Sequence, residues 1–188
     1  MRASGYANLS LLWVMCVCVP LCQAAAPDHA GVPLRTREQL IGTWRLVGIE
    51  YSDRSGPIVD PFYQAGSIGI ILYDSSGWMS VHIAAPHRKA WEVPASRLPS
   101  DAAAQDSELK AAAFDTYYAY YGTWDFDQTK SVVTHHLKSS LIPAETGLDY
   151  AQKVTLEHGR LIFTGHSGTQ GQETTRIKVW ERVSDIAK

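Results

Sequence analysis

The chain is predicted to be mainly β, a closed eight-stranded antiparallel barrel in up-and-down order with one inserted helix, and three observations predict it. Short alternating or apolar runs recur along the chain between clusters of turn residues. Gly42-Thr43-Trp44 opens the first run and Trp180-Glu181-Arg182 closes the last. An arginine plane can stack on an indole and cap the shut end of a barrel, so Trp44 and Arg182 are read as a structural pair. The β pattern is interrupted once, by an alanine-rich stretch from Asp101 to Tyr121.

Each element has its own signal. Thr43 to Tyr51 alternates in part, and Ser52 to Pro57 breaks it. Ser67 to Tyr73 is an apolar strand, joined to Trp78 to Ala84 by the hairpin loop Asp74-Ser75-Ser76-Gly77. Further strands are expected at Gly122 to Phe126, Ser131 to Ser140, Tyr150 to Glu157, Arg160 to Gly165 and Thr174 to Val183, with His158-Gly159 as a tight turn. In Asp101 to Tyr121, Leu109, Ala113, Tyr117 and Tyr121 stand at four-residue spacing, which predicts a helix. Asp101 or Asp106 can cap its start, and Gly122 suits the left-handed position at its end. The proline-bearing stretch Ala85 to Pro99 is expected to be an extended loop. Loop and helix together would form either a plug that finishes the core, the plainer reading, or a lid over the cup.

Residues 1–24 read as a secretory signal peptide: Leu9 to Leu21 is mostly apolar, Arg2 precedes it, and small residues surround Cys22-Gln23-Ala24. The run is short for a spanning helix and contains Pro20, so no stable membrane insertion is expected after cleavage, and a secreted or periplasmic location follows. An uncleaved anchor and a lipoprotein signal at Cys22 are the alternatives; Leu21 fits the latter poorly. All three cysteines lie in this segment, so the remainder has no disulfide and no cysteine nucleophile. Residues 25–39 read as a linker ending in a helical turn, and residues 40–184 as one barrel domain, expected to be a monomer. Without Arg2 the formal charge is −3, with no long basic run, so no nucleic-acid partner is expected.

The ordered segments LIGTWRLV, GIILYDSSGWMSVHI, AFDTYYAYYGTWDFD, VVTHHLKSSLIP, GRLIFTG and VWERV resemble the bacterial and fungal lipocalin-like domain family from about Leu40 to Val183. The resemblance implies a calycin-type barrel and a cavity. It implies no reaction.

Strand periodicity sorts the polar groups. Val133, His135, Leu137 and Ser139 share one face of their strand and Thr134, His136 and Lys138 the other. The face with Leu137 is the more apolar, which turns His135 inward and His136 outward. A buried imidazole needs partners for both nitrogens, and these are either structural, from Ser139, a tyrosine hydroxyl or the backbone, or a ligand. Trp78, Ser80 and His82 oppose Met79, Val81 and Ile83; if the Met79 face looks inward, His82 points out. Within the cluster Tyr117, Tyr118, Tyr120 and Tyr121, the stripe favours Tyr117 and Tyr121, as core packing or as ligand contacts. The candidate ligand-binding residues are therefore His135, Tyr117, Tyr121, Ser139 and Met79.

The seven histidines show no ligand spacing, and the chain carries no nucleophile elbow, phosphate loop or dinucleotide glycine pattern, so neither a metal nor a cofactor is expected. Two functions fit. One is a binding protein for a small lipophilic molecule in the barrel; the other is a cofactor-free isomerase or cyclase acting on a small hydrophobic carbonyl compound. Binding is favoured, because catalysis needs a positioned acid/base pair and no catalytic residue is assigned.

Overall fold

Turn chemistry and strand alternation together close the sheet on itself. The computed structural model describes residues 31–59, 63, 65–89, 107–168 and 173–184. Its strands are β1 (Val32–Pro33), β2 (Gly42–Asp53), β3 (Gly56–Ile58), β4 (Ile68–Tyr73), β5 (Trp78–Ala84), β6 (Tyr117–Asp127), β7 (Val132–Ser140), β8 (Asp149–Glu157), β9 (Arg160–Ser167) and β10 (Thr174–Arg182). A helix, α1, spans Ser107–Asp115, and single 3-10 turns lie at Arg37–Gln39 and Pro143–Glu145. The expected signal peptide, the helix caps Asp101 and Asp106, and the prolines Pro94 and Pro99 lie outside the described residues.

Strands β2, β4, β5, β6, β7, β8, β9 and β10 follow one another antiparallel around a closed eight-stranded barrel, and β10 returns to pair with β2. Strand β3 folds back on the end of β2, and β1 adds to β8. His158 and Gly159 both have positive φ, 49° and 80°, the twist that a two-residue hairpin turn needs between β8 and β9. Alternate residues fill the interior, among them Trp44, Ile71, Tyr73, Met79, Val81, Ile83, Trp124, Val133, Leu137, Val154, Phe163 and Trp180.

One end is shut by arginine on indole. The Arg182 guanidinium lies 4.1 Å from the centroid of the Trp44 ring and donates to the carbonyls of Ile41 and Gln39, both at 2.7 Å. Arg37 repeats the device over Trp124, also at 4.1 Å. Within the segment expected to be a linker, residues 31–39 are packed against this structure. Val32 pairs with Leu156, Leu34 is buried, and the Leu34 amide donates to Ser131 Oγ, which itself donates to the Val154 carbonyl.

The expected helix does not reach Tyr121. Helix α1 ends at Asp115, where the Thr116 hydroxyl bonds back to the Ala112 carbonyl, and Tyr117 to Tyr121 begin β6, paired residue by residue with β5. Aromatic side chains favour a pleated surface, and the β5 edge needs a partner to close the barrel. Gly122 therefore caps no helix. It sits where the β6–β7 register shifts, and a Cβ there would lie 2.0 Å from the His136 carbonyl oxygen. Backbone cannot yield as a side-chain tip does. Gly122→Ala is expected to destabilise by at least about 1–3 kcal/mol, the range for overpacking; an unchanged urea midpoint would show that the strands can separate freely at this bulge.

Candidate functional site

Among the described residues, the side chains at the end opposite Trp44 and Arg182 do not fill the barrel. A cavity of about 710 Å³ runs into it. Its walls are Val81 and Ile83 from β5, Tyr118 and Tyr120 from β6, Tyr150 and Gln152 from β8, and Arg176 and Lys178 from β10. Phe114, at the end of α1, and Ile142, after β7, are further lining residues.

Aromatic rings form much of the wall. Tyr118 and Tyr120 lie 5.5 Å apart, Tyr150 meets Tyr120 edge-on at 6.0 Å, and Tyr63 meets Tyr118 edge-on at 6.4 Å. The turn Pro143–Glu145 brings the Glu145 carboxylate to this cluster, where one oxygen accepts from Tyr118 Oη at 2.8 Å and from Ser140 Oγ at 2.7 Å. Burial raises the Tyr118 and Tyr120 phenols above their ordinary range, so both remain donors.

Two cations lie on the same wall. Arg176 and Lys178 alternate with Ile177 and share the inward face that continues to buried Trp180. Burial first, and then the charge of Arg176, pushes the Lys178 ammonium down to about 7. Arg176 lies over the Tyr51 ring at 5.3 Å. Among the described residues neither cation has a carboxylate within ion-pair distance, and neither donates a hydrogen bond to a protein acceptor. Glu145, also on the cavity, spends its oxygen on hydroxyls instead.

The residues expected to bind a ligand are placed differently. His135 does face inward, but it is 1% exposed and stands behind the cavity wall with both ring nitrogens in use: Nε2 pairs with Tyr73 Oη at 2.7 Å and Nδ1 with Tyr120 Oη at 2.9 Å. Burial, then the charge of Lys178, lowers its pKa to about 3, so the ring is neutral. One nitrogen donates to a hydroxyl and the other accepts from one. Met79 packs in the core, and neither it nor Ser139 is among the described residues that line the cavity. Tyr121 is on the outer surface, 50% exposed beside Trp78. Tyr117 touches the cavity, but its hydroxyl pairs with His82 Nδ1 at 3.0 Å and its ring lies under Arg88. The inward tyrosines of the cluster are Tyr118 and Tyr120, one residue out of step with the stripe. His136 is outside, between Asp149 at 2.7 Å and Asp125 at 3.0 Å.

Arg176, Lys178, Tyr150 and Glu145 were not expected. A signal for the first two was present: if Trp180 faces the core, the period of two turns Arg176 and Lys178 inward as well.

A closed up-and-down barrel, shut at one end and hollow at the other, defines a class of protein that holds small molecules in a cup. The lipocalin-like domain family matches residues 41–183, and the chain belongs to that family. A comparison with curated proteins finds no match. Fold and family together point to small-molecule binding. Among the described residues no helix is long and apolar enough to cross a membrane.

Proposed function

We propose that the protein is a binding protein for a small lipophilic molecule held in the barrel cavity. The observation that carries this reading is the cavity itself, whose volume of about 710 Å³ falls in the range of roughly 300–1,000 Å³ usual for small-molecule sites. Its wall joins aliphatic side chains to tyrosine rings, which suits a molecule with an apolar body and few polar atoms. The alternative, an isomerase or cyclase, gains no acid/base group from the buried histidine. His135 has both nitrogens bonded and is neutral far below physiological pH. Binding thus remains the better supported function.

Native mass spectrometry of protein purified from its own host tests it. A retained small molecule, displaced when Ile83→Trp fills the cavity, is the expected result; a thermal midpoint indifferent to a panel of apolar compounds, with no retained mass, would overturn it. We also propose that the chain is exported after loss of residues 1–24, which N-terminal sequencing of the exported form checks.

A further inference from the structure

We propose that Arg176 and Lys178 form an anion subsite inside the cavity, so that the ligand is a lipophilic carboxylate whose head group sits on β10 and whose apolar body lies against the tyrosine wall. The inference rests on the binding reading above and specifies its ligand.

Two basic side chains two residues apart on one strand face line the same cavity. Proteins seldom hold charge in such a place unless it is paired, because leaving water costs far more than a surface charge does. Arg176 has only the face of Tyr51, and Lys178 has no partner among the described residues. Three carboxylates also line the cavity, and none pairs with these cations: Glu145 accepts from Tyr118 and Ser140, Asp149 pairs with His136, and Asp115 is exposed at the end of α1. Like charges side by side also raise each other's cost. An anion brought by the ligand supplies the missing counter-charge. Arginine's planar fork matches a carboxylate, while lysine adds a compact charge beside it. Tyr120 and Tyr150 line the same cavity and are available to the apolar body.

Beside Arg176 in the empty barrel, Lys178 must either hold an unpaired charge or give up its proton, and both destabilise the fold; this separates a ligand-directed role from a structural one. A lysine that holds the fold together lowers stability when removed; a lysine kept for a ligand raises it.

Calorimetric titration with dodecanoate and 1-dodecanol, which share a tail and differ in the head, is the test. Wild-type protein is expected to bind dodecanoate at least tenfold more tightly. Lys178→Met and Arg176→Met should each weaken dodecanoate about tenfold, a loss of about 1.4 kcal/mol, and leave dodecanol within twofold, while Lys178→Arg keeps most of the preference. Ligand-free Lys178→Met should unfold at a higher urea midpoint than wild type. Equal affinity of wild-type protein for the two probes would overturn the subsite and leave the binding function standing, as would equal loss of both probes in the variants. Binding of neither probe would overturn both.

Discussion

Trp44→Ala is expected to lower stability by about 3–5 kcal/mol, the usual cost of removing a fully buried large aromatic side chain. Trp44 is 1% exposed at the shut end of the barrel, and its indole N–H donates to the Leu40 carbonyl at 2.8 Å. Truncation opens a cavity and orphans that carbonyl. It also removes the surface on which Arg182 lies, and the same guanidinium holds the carbonyls of Gln39 and Ile41 at the entrance to β2. Arg182→Ala should cost less, because the side chain is at the rim and water can take over both carbonyls. The two losses should not be additive, since each single substitution already removes the stacking. Urea denaturation of both single variants and the double variant measures this, with unchanged m-values as the check that only stability has moved. An unaltered midpoint for Trp44→Ala would mean that the shut end carries no stability.

What the sequence reveals here follows from which physical signals are local. Strand runs such as Trp78 to Ala84 are legible because burial imposes a period of two and the flanking turns have their own chemistry. The pair Trp44 and Arg182 is legible because both residue types are specific to one job and lie at the two chain ends that must meet. The helix boundary was not. A spacing of four residues fits a helical stripe, yet it also keeps Tyr117 and Tyr121 on one face of a strand, so the pattern does not separate the two structures. The deciding fact is that β5 requires a neighbour, which is a property of the closed sheet.

The same limit governs the site. Periodicity turned His135 inward correctly, but whether an inward histidine meets a ligand or another side chain depends on residues distant in sequence: Tyr73 and Tyr120 are supplied by β4 and β6. Charged residues are ordinarily assigned to solvent, which hid Arg176 and Lys178 although the buried Trp180 fixes the parity of their strand. Nor does the local sequence of residues 31–36 show that Leu34 is buried, since the hydrogen bonds that anchor it come from Ser131 and β8.

The second large effect concerns that histidine. His135→Phe is expected to destabilise by about 2–6 kcal/mol, because it leaves the Tyr73 and Tyr120 hydroxyls without their partner, and each orphaned buried group costs roughly 1–3 kcal/mol. Both hydroxyls are deep in the barrel, where 2% of Tyr73 and 4% of Tyr120 is exposed. Acid provides an independent signature. The folded pKa is about 3 against an ordinary 6.5, so between these values the unfolded chain binds the extra proton. His135 therefore contributes stability that is complete above about pH 6.5 and is lost as the pH falls toward 3. The adjacent His136 has the opposite sign: hydrogen bonds to Asp149, and then to Asp125, raise its pKa, so its contribution is present in acid and disappears as the pH rises through the folded value. That contribution is small, because the pair is solvated. His135→Phe should thus be less stable than wild type at pH 7 and should lose less stability between pH 6.5 and 4, whereas His136→Phe should change the midpoint little and leave that acid limb in place. Urea midpoints at several pH values decide it: parallel pH profiles for wild type and His135→Phe would mean that the imidazole is not held neutral between the two tyrosines.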